Sequence, residues 1–250
     1  MKKALKLLAA MLGLVILGLS WPAWQLYTEI QKGRSEDPQV WEEDISALES
    51  KTSGLYGPGE GVVFLGSSSI RLWNTLVDDM APIGVIQHGF GGAKLNDVIY
   101  YAQRLVNAYQ PRAVVIFAGT NDIHPGASKT PEVLFASYQT LVRKIRVDRP
   151  DLPIFYIAIT PSTMRWSVWP IAQATNQLIE DWSAEDPNLY VIDTSHALMG
   201  SSGEPDSENY RLDGLHLSEQ GYRIWREIIR TRLMGELGYP TDTADTLLDQ

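Results

Sequence analysis

The sequence predicts an α/β fold, a three-layer α/β/α sandwich around a five-stranded, mostly parallel sheet. Three observations carry this expectation. Five short apolar runs recur along the chain, amphipathic stretches of helical spacing separate them, and glycine-rich or polar clusters follow most of the runs. Continuous apolar strands joined by helices are the pattern of a parallel sheet covered on both faces. The 250 residues suit one such domain with a tail, and two domains would be cramped.

Lys2, Lys3 and Lys6 precede an apolar run over residues 7–19, followed by Ser20, Trp21, Pro22, Ala23 and Trp24. A basic start before an apolar stretch reads as an export signal or an anchoring apolar helix over residues 1–26. Gly18 and Ser20 have the small-residue spacing that a signal peptidase accepts. Extended through Trp24 and Leu26, the run instead reaches the roughly 20 residues of a membrane span, with Trp21, Trp24 and Tyr27 as an interfacial belt. Either way the remainder is expected outside the cytoplasm, with the N-terminus at the membrane. Residues 27–60 read as a polar linker in which Trp41, Ile45 and Leu48 mark a short amphipathic helix.

Strands are expected at residues 62–65, 83–86, 113–118, 154–159 and 189–192, with helices between them at about 69–79, 94–109, 131–148 and 170–184. A last helix, about 218–234, closes a domain over residues 61–238. The tail over residues 239–250 shows no clear periodicity. There is no cysteine, which excludes disulfides, thiolate metal sites and a cysteine nucleophile. A net charge of −9 without a basic stripe argues against nucleic acid as a partner.

In open α/β sheets ligands bind beyond the carboxyl ends of the strands. Four clusters fall there: Gly66-Ser67-Ser68-Ser69, Gly89-Phe90-Gly91-Gly92, Gly119-Thr120-Asn121-Asp122 and, after a long loop, Asp213-Gly214-Leu215-His216. Acyl transfer needs a hydroxyl nucleophile, a base, a group orienting that base, and donors for an oxyanion. A serine, His216 and Asp213 can supply the first three. Glycines 91 and 92 let backbone N–H groups approach a ligand, and the Asn121 amide is a donor that does not titrate. Singly, each cluster has a plainer reading as a turn, a helix cap or a surface pair. The dinucleotide fingerprint fails because position 94 is Lys94, and the G-x-S-x-G elbow fails because position 70 is Ile70. His88, His124 and His196 show no metal-ligand spacing.

Together, in this order, the clusters resemble the four sequence blocks of the SGNH or GDSL-type hydrolases, over about residues 60–235. The resemblance implies a flavodoxin-like SGNH sandwich and an esterase. It makes Ser68 the nucleophile, His216 the base and Asp213 its orienter. Ser68, Gly92 and Asn121 become the oxyanion donors, and no metal or organic cofactor is needed. One departure is that Ser67 stands where the family often has aspartate, which leaves Ser69 as the alternative nucleophile. The loop after the fourth strand, with Arg165 and Trp166, is expected to overhang the site. There Arg165 would pair with an anionic group and Trp166 would stack on a sugar or cover an acyl chain, or the loop packs as a lid corner that touches no substrate. The expected substrate is a small-molecule, lipid or carbohydrate ester, cleaved as a short-chain, O-acetyl or lysophospholipase-like substrate. Acyl transfer to a sugar, and a non-catalytic membrane-tethered binding module, are the other readings the residues leave open. The sequence sets no oligomeric state.

Overall fold

The computed structural model describes residues 28–29 and 31–240. The apolar segment expected over residues 1–26 and the tail from residue 241 lie outside these. Among the described residues, no helix is long and apolar enough to cross a membrane.

Five strands form one sheet: β1 (Val62–Gly66), β2 (Val85–Gly89), β3 (Ala113–Phe117), β4 (Ile154–Ile157) and β5 (Leu189–Ile192). Every pairing is parallel and the order is β2-β1-β3-β4-β5. The chain therefore winds one way from β1 to β2 and the other way from β3 onward. The point of reversal, between β1 and β3, is where a crevice opens in such sheets. In register, Gly66 lies beside both Gly89 and Phe117, so three strands end level with one another.

Strand residues alternate between two cores, as the period of two requires. Val63, Leu65, Ile86, Val114, Ile116, Ile154 and Tyr156 face one side. Val62, Phe64, Val85, Val115, Phe117, Phe155 and Ile157 face the other. The first face is covered by α1 (Glu42–Thr52), α4 (Leu95–Leu105), α5 (Pro131–Ile145) and α6 (Trp169–Ser183). The second is covered by the short α2 (Ser68–Arg71) and α3 (Leu76–Asp79) and by α7 (Glu219–Glu236). Thr130 caps α5 ahead of Pro131, and Ser218 caps α7 by accepting from Gly221 N at 3.2 Å. Burying each large apolar side chain stabilises the sandwich by about 1.5–3 kcal/mol.

The sheet is fully parallel, and several boundaries differ from the expectation: β2 starts at Val85 instead of residue 83, and β4 ends at Ile157 instead of residue 159. The second strand runs on through Gln87 and His88 to Gly89 instead of ending at residue 86. Both polar side chains are satisfied inside: Gln87 Nε2 donates to Ile70 O at 2.7 Å, and His88 Nδ1 lies 2.6 Å from Leu105 O. The helix expected over 69–79 is two single turns. Trp73 and Thr75 donate to one oxygen of Asp79 at 2.6 Å each, which folds the joint back on itself.

Candidate active site

Ser68 sits at the first turn of α2, directly past the end of β1. Gly66 permits that turn, because a Cβ there would lie 2.2 Å from Phe117 O. The Ser68 hydroxyl is 2.8 Å from His216 Nε2, and His216 Nδ1 is 2.7 Å from Asp213 Oδ2. A carboxylate only accepts, so Nδ1 carries the proton and Nε2 is left to accept the Ser68 O–H. The other Asp213 oxygen accepts from Leu215 N and His216 N, each at 2.9 Å. One carboxylate thus fixes both the turn and the tautomer. Partial burial works against its charge. Hydrogen bonds from the His216 ring and the two backbone N–H groups outweigh that and hold its pKa below the ordinary value.

The donors expected around the hydroxyl line the same cleft as Ser68. Ser68 N–H lies in a first helical turn, where no helical carbonyl can accept it. Among the described residues, Gly92 N–H donates to no backbone acceptor. Asn121 Nδ2 donates to Ala93 O at 3.0 Å with one of its two hydrogens. Ser68, Gly92, Asn121, Asp213 and His216 line one cleft of about 760 Å³. Among the described residues, the apolar side chains in its lining are Leu72, Ala127 and Leu215, beside several charged side chains. Ser68 and not Ser69 meets the imidazole.

Gly91 differs from its expected role. A Cβ there would strike the Trp41 ring at 2.4 Å, so its lack of a side chain makes room for packing, not for a ligand. Arg165 lines the cleft, but its guanidinium donates into the protein: to Thr120 O, to Ile123 O at 2.6 Å and to Asn121 Oδ1 at 3.3 Å. Trp166 is not part of the cleft lining and stacks on Trp169, with ring centroids 6.3 Å apart.

A family model described as the GDSL-like lipase/acylhydrolase family matches residues 52–224, well over half the chain and all four strand-end clusters. The chain belongs to this family. No curated protein matches the sequence. Solved structures match its fold. A GDSL-like lipase from Bacteroides thetaiotaomicron superposes with a TM-score of 0.65 at 17% identity, over 77% of this chain and 98% of that one. A lipase/acylhydrolase from Enterococcus faecalis gives 0.57 at 20% identity, over 71% and 96%. A carbohydrate esterase family 3 protein from Talaromyces cellulolyticus gives 0.58 at 17% identity, over 72% and 99%.

The GDSL-like acylhydrolase has site residues that sequence reasoning missed. Glu29, Gly33, Arg34 and Glu36, within the stretch read as linker, line the cleft. Gly33 lies against Gly92, where a Cβ would be 3.6 Å from Gly92 O. Lys94 is buried and donates to Ser35 O at 2.5 Å and Glu36 Oε1 at 2.6 Å, which ties this stretch down. Glu29 pairs with Arg71. The one signal the sequence carries is Lys94, a cation two positions past the glycine-rich turn and at the head of α4.

Proposed function

We propose that this GDSL-like acylhydrolase cleaves carboxylic esters of short acyl groups through an acyl-enzyme formed on Ser68. The observation that carries the reading is the continuous chain from the Ser68 hydroxyl through His216 to Asp213, at 2.8 Å and 2.7 Å. His216 Nε2 takes the hydroxyl proton as the oxygen attacks the ester carbonyl, and then gives it to the departing alcohol. Water repeats the sequence on the acyl-enzyme and releases the acid. Asp213 keeps the proton on Nδ1 and the ring in place while Nε2 takes up and gives back its own. The oxyanion that forms in each half is met by Ser68 N–H, Gly92 N–H and the free Asn121 N–H. Losing one such donor costs on the order of 10²–10³ in rate. Among the described residues of the cleft lining, charged and polar side chains outnumber apolar ones, which supports a short or polar ester over a long acyl chain.

The test is hydrolysis of an ester panel of increasing acyl length by the wild type and by Ser68→Ala. Turnover is expected to be highest at short acyl groups and to fall by on the order of 10⁴-fold or more in Ser68→Ala. A wild-type rate in Ser68→Ala, with loss in Ser69→Ala, would move the nucleophile. A maximum at long acyl chains would overturn the substrate class.

A further inference from the structure

Arg165 was a candidate for binding substrate, and its surroundings argue for another task. Three of its N–H groups are directed at one short loop of the protein: at Thr120 O, Ile123 O and Asn121 Oδ1. An arginine has donors only, and an asparagine amide has one accepting and one donating end. With Oδ1 toward Arg165 and Nδ2 toward Ala93 O, both ends are matched. Rotating the amide by half a turn would set NH₂ against guanidinium and oxygen against oxygen. It would also turn a carbonyl oxygen, instead of an N–H, toward the cleft.

We propose that Arg165 is a positioning residue that acts through Asn121, holding its amide in the single orientation that offers an N–H to the oxyanion. This rests on the acyl-enzyme reading above. Burial lowers the Arg165 pKa to about 10, still well above neutrality, so the guanidinium keeps its donors at working pH. The same loop also grips the other half of the site. Thr163 Oγ1 and Met164 N donate to Gly214 O at 3.0 Å and 2.9 Å, between Asp213 and His216. One loop therefore sets the oxyanion donor and the base relative to each other. The sequence placed this loop over the site, yet it could not show which way Arg165 points.

The experiment is a double-mutant cycle between Arg165→Met and Asn121→Ala, on a neutral short-chain ester, with Ser68→Ala as the control. Asn121→Ala is expected to lower kcat by on the order of 10²–10³. Arg165→Met alone should lower kcat by ~10- to 100-fold, with KM within about twofold. The double variant should be no slower than Asn121→Ala, because the amide through which Arg165 acts is already gone. Arg165→Lys keeps the charge but cannot span two carbonyls and an amide. It should show the same kcat loss and the same absence of further loss, and it serves if Arg165→Met does not fold. Losses that multiply in the double variant, a rise in KM at unchanged kcat, or a wild-type kcat in Arg165→Lys would each overturn the proposal. Full activity in Ser68→Ala would instead overturn the acyl-enzyme reading itself.

Discussion

Asp213 shows how much one side chain can fix. Oδ1 organises the turn through Leu215 N and His216 N, while Oδ2 holds the ring through Nδ1. An asparagine can replace only one of these acceptors. If its oxygen keeps the turn, its NH₂ faces Nδ1, which then gives up its proton and leaves it on Nε2. That nitrogen can no longer accept from Ser68. We therefore expect Asp213→Asn to fold with a wild-type urea midpoint while kcat falls by on the order of 10⁴-fold. A loss below tenfold would mean that the carboxylate does not set the tautomer. The residue types and their order made Ser68, Asp213, His216, Gly92 and Asn121 legible as a group, because each follows a strand end in an α/β pattern. Beyond Asp213 as the orienter of His216, what holds them in place was not legible. Lys94, Asp122 and the fork of Arg165 act through partners dozens of positions away, and periodicity carries no information about such distances.

At the scale of elements, the apolar runs located all five strands because parallel strands are buried on both faces. The error at β2 arose from Gln87 and His88, polar residues that the interior accepts only because Ile70 O, Leu105 O and Thr52 supply partners. The break between α2 and α3 was hidden for a similar reason: Asp79 gathers Trp73 and Thr75 across the joint. Asp122 is the clearest case of one side chain joining elements. It is buried, it accepts from Leu95 N at the start of α4 at 2.9 Å, and it pairs with Lys129 ahead of α5 at 2.7 Å. In Asp122→Ala, Lys129 can turn to solvent, but Leu95 N–H is left buried and unpaired. The expected loss is about 2–3 kcal/mol in urea unfolding. Asp122→Asn keeps an acceptor for Leu95 N and should lose less. If the two variants unfold at the same urea concentration, the bond to α4 is not what Asp122 contributes.

For the molecule as a whole, the net charge of −9 and the paired ions at the surface say little about stability, since exposed pairs contribute little. A single buried base says more. His88 is fully enclosed between the sheet and the ends of α1 and α4. Its Nδ1 faces Leu105 O and its Nε2 lies 2.9 Å from the Thr52 hydroxyl. Burial, only partly opposed by the Leu105 carbonyl and by Glu49, lowers its pKa from 6.5 to about 4. Between these values the unfolded chain binds a proton that the folded protein refuses, so stability must rise with pH across that window. The stabilisation is complete above about pH 6.5 and is lost as the pH falls toward 4. From pH 7 to pH 5 the loss from this residue is about 2 kcal/mol. Asp97, whose pKa burial raises, works in the opposite direction. Subtracting the pH dependence of His88→Gln from that of the wild type removes Asp97 and every other shared group. Urea unfolding at pH 7 and pH 5 should therefore show the wild type losing about 2 kcal/mol more than His88→Gln. Parallel losses in the two proteins would show that His88 takes up its proton in the folded state as readily as in the unfolded chain.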